Sequence, residues 1–195
     1  MTWQYARRPD GKIAVTLDNN VWNFLFDRNV DLASELSSDA FALFITREVE
    51  IETMAIPVNE SKVALSDYIT RAIAQCDIKT TYVFGFATSG TGPQRVGGWG
   101  QGTWQSRTER EFYAAIRGKY LLGRREKGSK LTDNEGDAAV AAQSFFSIAL
   151  TYENPNKSGP LRFAAEHGGK VLYLSGFDES GLTLKQYITD FHTAA

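Results

Sequence analysis

Six acidic side chains stand where a fold could put them to chemical use: Asp18, Glu48, Glu52, Asp133, Asp137 and Glu153. Asp18 ends the apolar run Ile13-Ala14-Val15-Thr16-Leu17, and Glu153 stands just past Ser147-Ile148-Ala149-Leu150-Thr151. Glu48 and Glu52 follow Phe41–Thr46 and, four residues apart, share one face of a helix. Asp133 and Asp137 open an alanine-rich helical stretch. Carboxylates brought together repel, so a fold that gathers them needs a compensating cation or raised pKa values. Oxygen-only donors select hard ions such as Mg²⁺ or Mn²⁺. Such an ion lowers the pKa of a bound water and neutralises charge on a phosphodiester. Taken singly, each acid also fits a blander role; Asp18 in particular suits a helix N-cap.

Other chemistries find less support. Cys76 is the lone cysteine and lies in a helical pattern, which suits core packing. His167 and His192 are isolated, and no Cys or His set has zinc spacing. No P-loop is present. Gly97, Gly98, Gly100 and Gly102 do not stand between a strand and a helix, the context a nucleotide-binding glycine loop needs.

The elements that must position the acids follow from periodicity. Apolar runs at 12–17, 41–46, 79–86, 147–151 and 171–174 read as five strands. Helical patterns occupy Val21–Phe26, Asp31–Leu36, Arg47–Pro57, Ser61–Cys76, Arg107–Leu122, the stretch from Asp137, Gly159–His167 and Thr183–Phe191. Thr46 is placed to cap the helix at Arg47, and Gly168-Gly169 to stop the one before it. Strand–helix alternation predicts a central, mainly parallel five-stranded sheet with right-handed crossovers. The weak in–out alternation of the runs fits strands covered on both faces. The acids then gather at the carboxyl edge of that sheet, where open α/β folds bind ligands.

The chain of 195 residues is within the range of one domain, with 43% hydrophobic and 23% charged residues. Its formal net charge is −2, but the charge is segregated: residues 91–130 carry nine Lys or Arg and three Asp or Glu, net +6, leaving −8 for the rest. That asymmetry suits a polyanionic partner. Residues 87–105 are rich in Gly and Trp and read as a loop. The first ten residues lack the apolar run of a signal peptide and no stretch is long and apolar enough to span a bilayer, so a cytoplasmic location without membrane attachment is expected.

Four motifs in order carry a resemblance: the strand followed by Asp18-Asn19-Asn20-Val21; Phe44-Ile45-Thr46 followed by Glu52; Asp137-Ala138-Ala139-Val140-Ala141-Ala142; and Ala149-Leu150-Thr151-Tyr152-Glu153. This series resembles the PIN-domain nucleases over roughly Ile13 to Leu174. The resemblance implies a Rossmann-like three-layer α/β/α fold; the basic Gly/Trp-rich insertion at about 87–130, before the third acidic motif, is larger than in compact toxin-like members and departs from their pattern. The resemblance also implies a metal-dependent ribonuclease that cleaves single-stranded RNA. Asp18, Glu52, Asp137 and Glu153 would hold Mg²⁺ or Mn²⁺, with Glu48 the rival of Glu52 and Asp133 the rival of Asp137. Glu153 departs from the commoner Asp or Asn of the family. Thr151 would orient that acid or a water, and Asn19, Asn20 and Thr46 would support the ligands. Arg124, Arg125, Lys127, Trp99 and Trp104 would grip RNA. A homodimer and an antitoxin-type protein partner also belong to what the resemblance implies. Two other readings stay open: an inactive PIN-like scaffold that binds RNA or protein, and a flavodoxin-like or receiver-like domain.

Overall fold

The computed structural model describes residues 2–55, 60–81, 83–84, 103–104, 106–121, 131 and 134–194. Five parallel strands form the central sheet: β1 (Ile13–Leu17), β2 (Phe41–Thr46), β3 (Lys79–Thr81), β6 (Ile148–Thr151) and β7 (Val171–Tyr173), in the order β3-β2-β1-β6-β7. A separate parallel pair joins β4 (Val83–Phe84) to β5 (Thr103–Trp104). Among the described residues the helices are α1 (Val21–Asp27), α2 (Leu32–Glu35), α3 (Arg47–Met54), α4 (Glu60–Gln75), α5 (Arg107–Tyr120), α6 (Glu135–Gln143), α7 (Pro160–Glu166), α8 (Phe177–Ser180) and α9 (Leu184–Thr193).

The helices fall into two packed groups. On one side α4 packs on α1 and α2, and Phe177 of α8 meets Phe24 of α1 edge-on, with ring centroids 5.6 Å apart. On the other, α6 packs on α5, α7, β1, β2 and β6. The result is an α/β fold consistent with three layers. Residues of β1 and β6 are buried along nearly their whole length, as strands covered on both faces require. Ala138 to Ala142 of α6 are all buried, and their small side chains allow that helix to lie close on the sheet.

Of the expected strand at 79–86, the described residues fall in two strands, β3 and β4; Tyr82, Gly85 and Phe86 lie outside the described residues. β2 ends at Thr46, where the chain turns directly into α3, so the ladder that pairs Phe44 with Lys79 and Thr46 with Thr81 has no partner to continue it. Val83 and Phe84 pair instead with Thr103 and Trp104, which makes a strand of two residues expected to be loop. The last strand is also shorter than expected, because Leu174 opens a 3₁₀ turn. Helix α8 follows that turn and had no expected counterpart.

Helix α5, inside the expected insertion, buries Phe112 and Ile116 in the main core. Phe112 and Phe145 both meet Trp3 edge-on, at 5.9 and 5.4 Å, which ties the N-terminal segment to the same cluster. Gly168 makes that segment fit. Its φ is +100°, and a Cβ there would lie 2.1 Å from the Trp3 carbonyl oxygen. No helix among the described residues is long and apolar enough to cross a membrane.

Thr46 caps α3 as expected, accepting from the Val49 amide at 3.3 Å. Thr46→Ala therefore lowers unfolding free energy by about 1 kcal/mol and Thr46→Ser restores most of it, as measured by urea denaturation.

Candidate functional site

The strand order reverses direction at β1: the chain steps outward through β2 and β3, then returns to the opposite side of β1 through β6 and β7. The crevice between the carboxyl ends of β1 and β6 is thus the switch point at which open α/β sheets bind ligands. Asp18 and Thr151 stand there. Leu17 pairs with Leu150, and the Asp18 amide donates to the Leu150 carbonyl at 3.0 Å, so the ladder carries on into the site. Two residues beyond the Thr16–Phe44 pair, Asp18 and Thr46 reach the same level of the sheet. Thr46, Asp18 and Thr151 form one row across the carboxyl edge, with Thr81 and Tyr173 at its ends.

Asp18 is only 4% exposed. Its Oδ2 accepts from the Thr151 hydroxyl at 2.7 Å and its Oδ1 from the Asn19 amide at 2.7 Å. A threonine hydroxyl has one proton to donate, and the short contact assigns it to Asp18. Thr151 Oγ1 then accepts from Asn20 Nδ2 at 3.3 Å and from the Glu153 amide at 3.2 Å. Thr151 was expected to orient Glu153 or a water; its proton goes to Asp18, and it reaches Glu153 only through that residue's backbone.

The helix-cap role for Asp18 is overturned. The N-cap of α1 is Asn20, without a side-chain cap bond, and only the backbone carbonyl of Asp18 serves the helix, accepting from Val21 at 3.1 Å. The Asn20 side chain instead spans to β6, where its Oδ1 accepts from the Tyr152 amide at 2.7 Å. Asn19 meets α3, its Oδ1 lying 3.5 Å from Thr53 Oγ1.

The other acids approach from three elements. Asp137 lies in the first turn of α6, where the helix dipole favours an anion. Glu153 follows β6. Glu52, on the second turn of α3, lays its carboxylate against Gly136: a Cβ on that glycine would lie 2.9 Å from Glu52 Oε1. Glu52 is thereby brought to the residue preceding Asp137. Glu48 stands one turn earlier on α3; its charge, with those of Glu109 and Glu135, adds to burial in holding the phenol of Tyr113 of α5 well above its ordinary pKa. Asp133, Trp99, Arg124, Arg125, Lys127 and the side chain of Trp104 lie outside the described residues.

Lys157 is the site residue that composition and motif reading passed over. Its ammonium hydrogen-bonds Glu153 Oε1 and lies 3.9 Å from Asp137 Oδ2. Burial pulls its pKa down, but the Glu153 bond and the charges of Asp137, Glu153 and Asp18 outweigh that and leave it raised. The available signal was the Glu153-x-x-x-Lys157 spacing. Among the described residues no three His, Cys, Asp or Glu side chains form a ready-made metal cage. The acids are paired instead, Asp18 with Glu153 through Thr151 and Glu153 with Asp137 through Lys157. The two histidines are structural: His167 stacks on Phe163 at 4.0 Å and bonds its carbonyl oxygen, while His192 packs on Tyr5.

No protein-family model matches the chain, and no curated protein matches it.

Burial raises the Asp18 carboxyl above its ordinary range, the Thr151 and Asn19 hydrogen bonds opposing and the Glu153 charge adding to the rise. A raised native pKa means the folded state binds this proton more tightly, so stability falls as pH climbs from 3.8 through the native value. Asp18→Asn therefore stabilises the metal-free protein at pH 7, and the gain vanishes below about pH 4, where the carboxyl is protonated in both states. Urea unfolding of both proteins at the two pH values measures it.

Proposed function

We propose that this chain is a PIN-like, divalent-metal-dependent nuclease that hydrolyses phosphodiester bonds in single-stranded RNA. The observation that carries the reading is Asp18, buried at the sheet's switch point and held through both carboxylate oxygens, with Glu153, Asp137 and Glu52 approaching from separate elements. The donor chemistry fits a hard cation: oxygen ligands only, partly withdrawn from water, already balancing a positive ammonium. Asp18, Glu52, Asp137 and Glu153 would hold Mg²⁺ or Mn²⁺. When bound, such an ion supplies an acidified water and neutralises charge on the phosphate.

The chain's own groups perform the rest. Thr151 keeps Asp18 in one rotamer and the Glu153 backbone in register with it. Asn20 ties the α1 start to β6, so the two sides of the crevice cannot drift apart. Tyr152, 46% exposed, stands between Thr151 and Glu153, with its ring 5.0 Å from that of Phe24 and Arg28 over Phe24 at 3.9 Å. A half-open aromatic beside a guanidinium suits a stacked base of a single strand. Arg107, Arg110 and Arg117 share one exposed stripe of α5, the helix whose final carbonyl, at Tyr120, accepts from Asn134 just before α6. That stripe would guide the phosphate backbone toward the acids; Arg124, Arg125 and Lys127, outside the described residues, are further basic side chains for the same partner.

A second reading is a catalytically inactive PIN-like scaffold that binds RNA or a protein partner. Lys157 favours it, because an internal ammonium lets the acids persist without metal.

Asp18→Asn abolishes Mg²⁺- or Mn²⁺-dependent cleavage of a single-stranded RNA while circular dichroism shows the fold intact. Gly136→Ala displaces the Glu52 carboxylate, the far end of a flexible side chain, so cleavage drops while stability changes by less than about 1 kcal/mol. Full cleavage by folded Asp18→Asn, or none by the unaltered chain, removes the nuclease assignment. Replacing Arg110 and Arg117 by Gln flattens the slope of log K for RNA binding against log salt by roughly 1.4, as expected for two phosphate contacts on a single strand. Binding titrations at several salt concentrations read that slope.

A further inference from the structure

We propose that Lys157 is a tethered counter-ion: it occupies the acidic set when no divalent metal is bound and must leave when one binds. The inference rests on the metal-site reading above and adds to it a competition built into the chain.

The contacts place the ammonium among the anions. Lys157 Nζ hydrogen-bonds Glu153, stands 3.9 Å from Asp137 Oδ2, and lies within the field of Asp18. Those are three of the four acids assigned to the metal. A divalent ion drawing on the same oxygens would meet a like charge at contact distance, which a site of limited dielectric does not tolerate. The ammonium and the metal therefore exclude each other.

The anions are the more buried partners and the cation the more exposed one. Asp18 is 4% exposed, and the side chains of Glu153 and Asp137 are 14% and 26% exposed, whereas that of Lys157 is 54% exposed. The backbone at Lys157 is nonetheless anchored. Its amide donates to the Asn154 carbonyl at 2.9 Å, the Asn156 amide donates to Asn154 Oδ1 at 2.9 Å, and Arg162 of α7 donates to the Asn156 carbonyl at 3.0 Å. A fixed backbone with a flexible four-carbon stem lets the head group swing into water without unfolding the turn. A guanidinium or ammonium on a rigid, buried element would make a permanent ion pair; this one is placed to be displaced.

Calorimetric titration of Mn²⁺ into the full unaltered chain, Lys157→Met and Lys157→Arg tests the proposal. Lys157→Met keeps the apolar stem and removes the charge. It binds Mn²⁺ more tightly than the unaltered chain by on the order of tenfold, the scale of one coupled charge interaction, while Lys157→Arg stays close to the unaltered chain. In EDTA, Lys157→Met melts at a lower temperature, because the acids then repel without a counter-ion, and Mn²⁺ restores the loss. Binding by Lys157→Met alone supports displacement in its strongest form. Equal or weaker binding by Lys157→Met overturns the counter-ion role and leaves the metal site standing. No binding by any of the folded proteins overturns the metal site itself, and the counter-ion role with it.

Discussion

The hydrogen bond from the Thr151 hydroxyl to Asp18 Oδ2, 2.7 Å long, is the contact on which the site depends. It joins the ends of β1 and β6, strands that are 133 residues apart in the chain and adjacent in the sheet. A buried carboxylate is tolerable only if its oxygens are engaged, and both oxygens of Asp18 are. The same hydroxyl receives the Asn20 amide and the Glu153 backbone, so one side chain sets the orientation of an acid on each strand and of the residue that starts α1. Breaking that hub would leave a buried charge half-satisfied, a more serious loss than one hydrogen bond between exposed groups.

Around this hub the charge balance decides what the site can do. Asp18 is pushed toward protonation by burial and by Glu153, while Lys157 is held charged by Glu153, Asp137 and Asp18. The fold therefore stabilises a set of negative charges it has partly withdrawn from water, and it does so with a cation on a flexible arm. Under the proposed metal-site reading, that arrangement would yield to an external cation more readily than a rigid, buried ion pair.

The helices and most of the strands were largely legible, because each depends on local periodicity and capping chemistry. Thr46 as a cap and the alanine-rich α6 follow from neighbours within one or two turns, as does the Ser106–Glu109 capping box that the sequence reading passed over. The misreadings concern pairing partners. The run at 79–86 looks continuous in residue type, but β2 ends at Thr46, opposite Thr81 of β3, and Val83 and Phe84 pair with Thr103 and Trp104. Asp18 is a residue type suited to a cap, but donors at the end of the adjacent strand compete: the Tyr152 amide donates to the Asn20 side chain and the Thr151 hydroxyl to the Asp18 carboxylate.

By itself the sequence determined the alternation of strands and helices, the parallel sheet that follows from it, and the placing of acids at strand ends, since hydrophobic period and turn chemistry are encoded locally. Only the tertiary structure decided which acids meet. Glu52 of α3 comes against Gly136 of α6 because those two helices pack on each other. Lys157 carries no motif of its own, and its place among Glu153, Asp137 and Asp18 exists only once β1, β6 and α6 converge at one sheet edge. Side-chain direction across 100 residues of chain is set by packing, and packing is a property of the assembled layers.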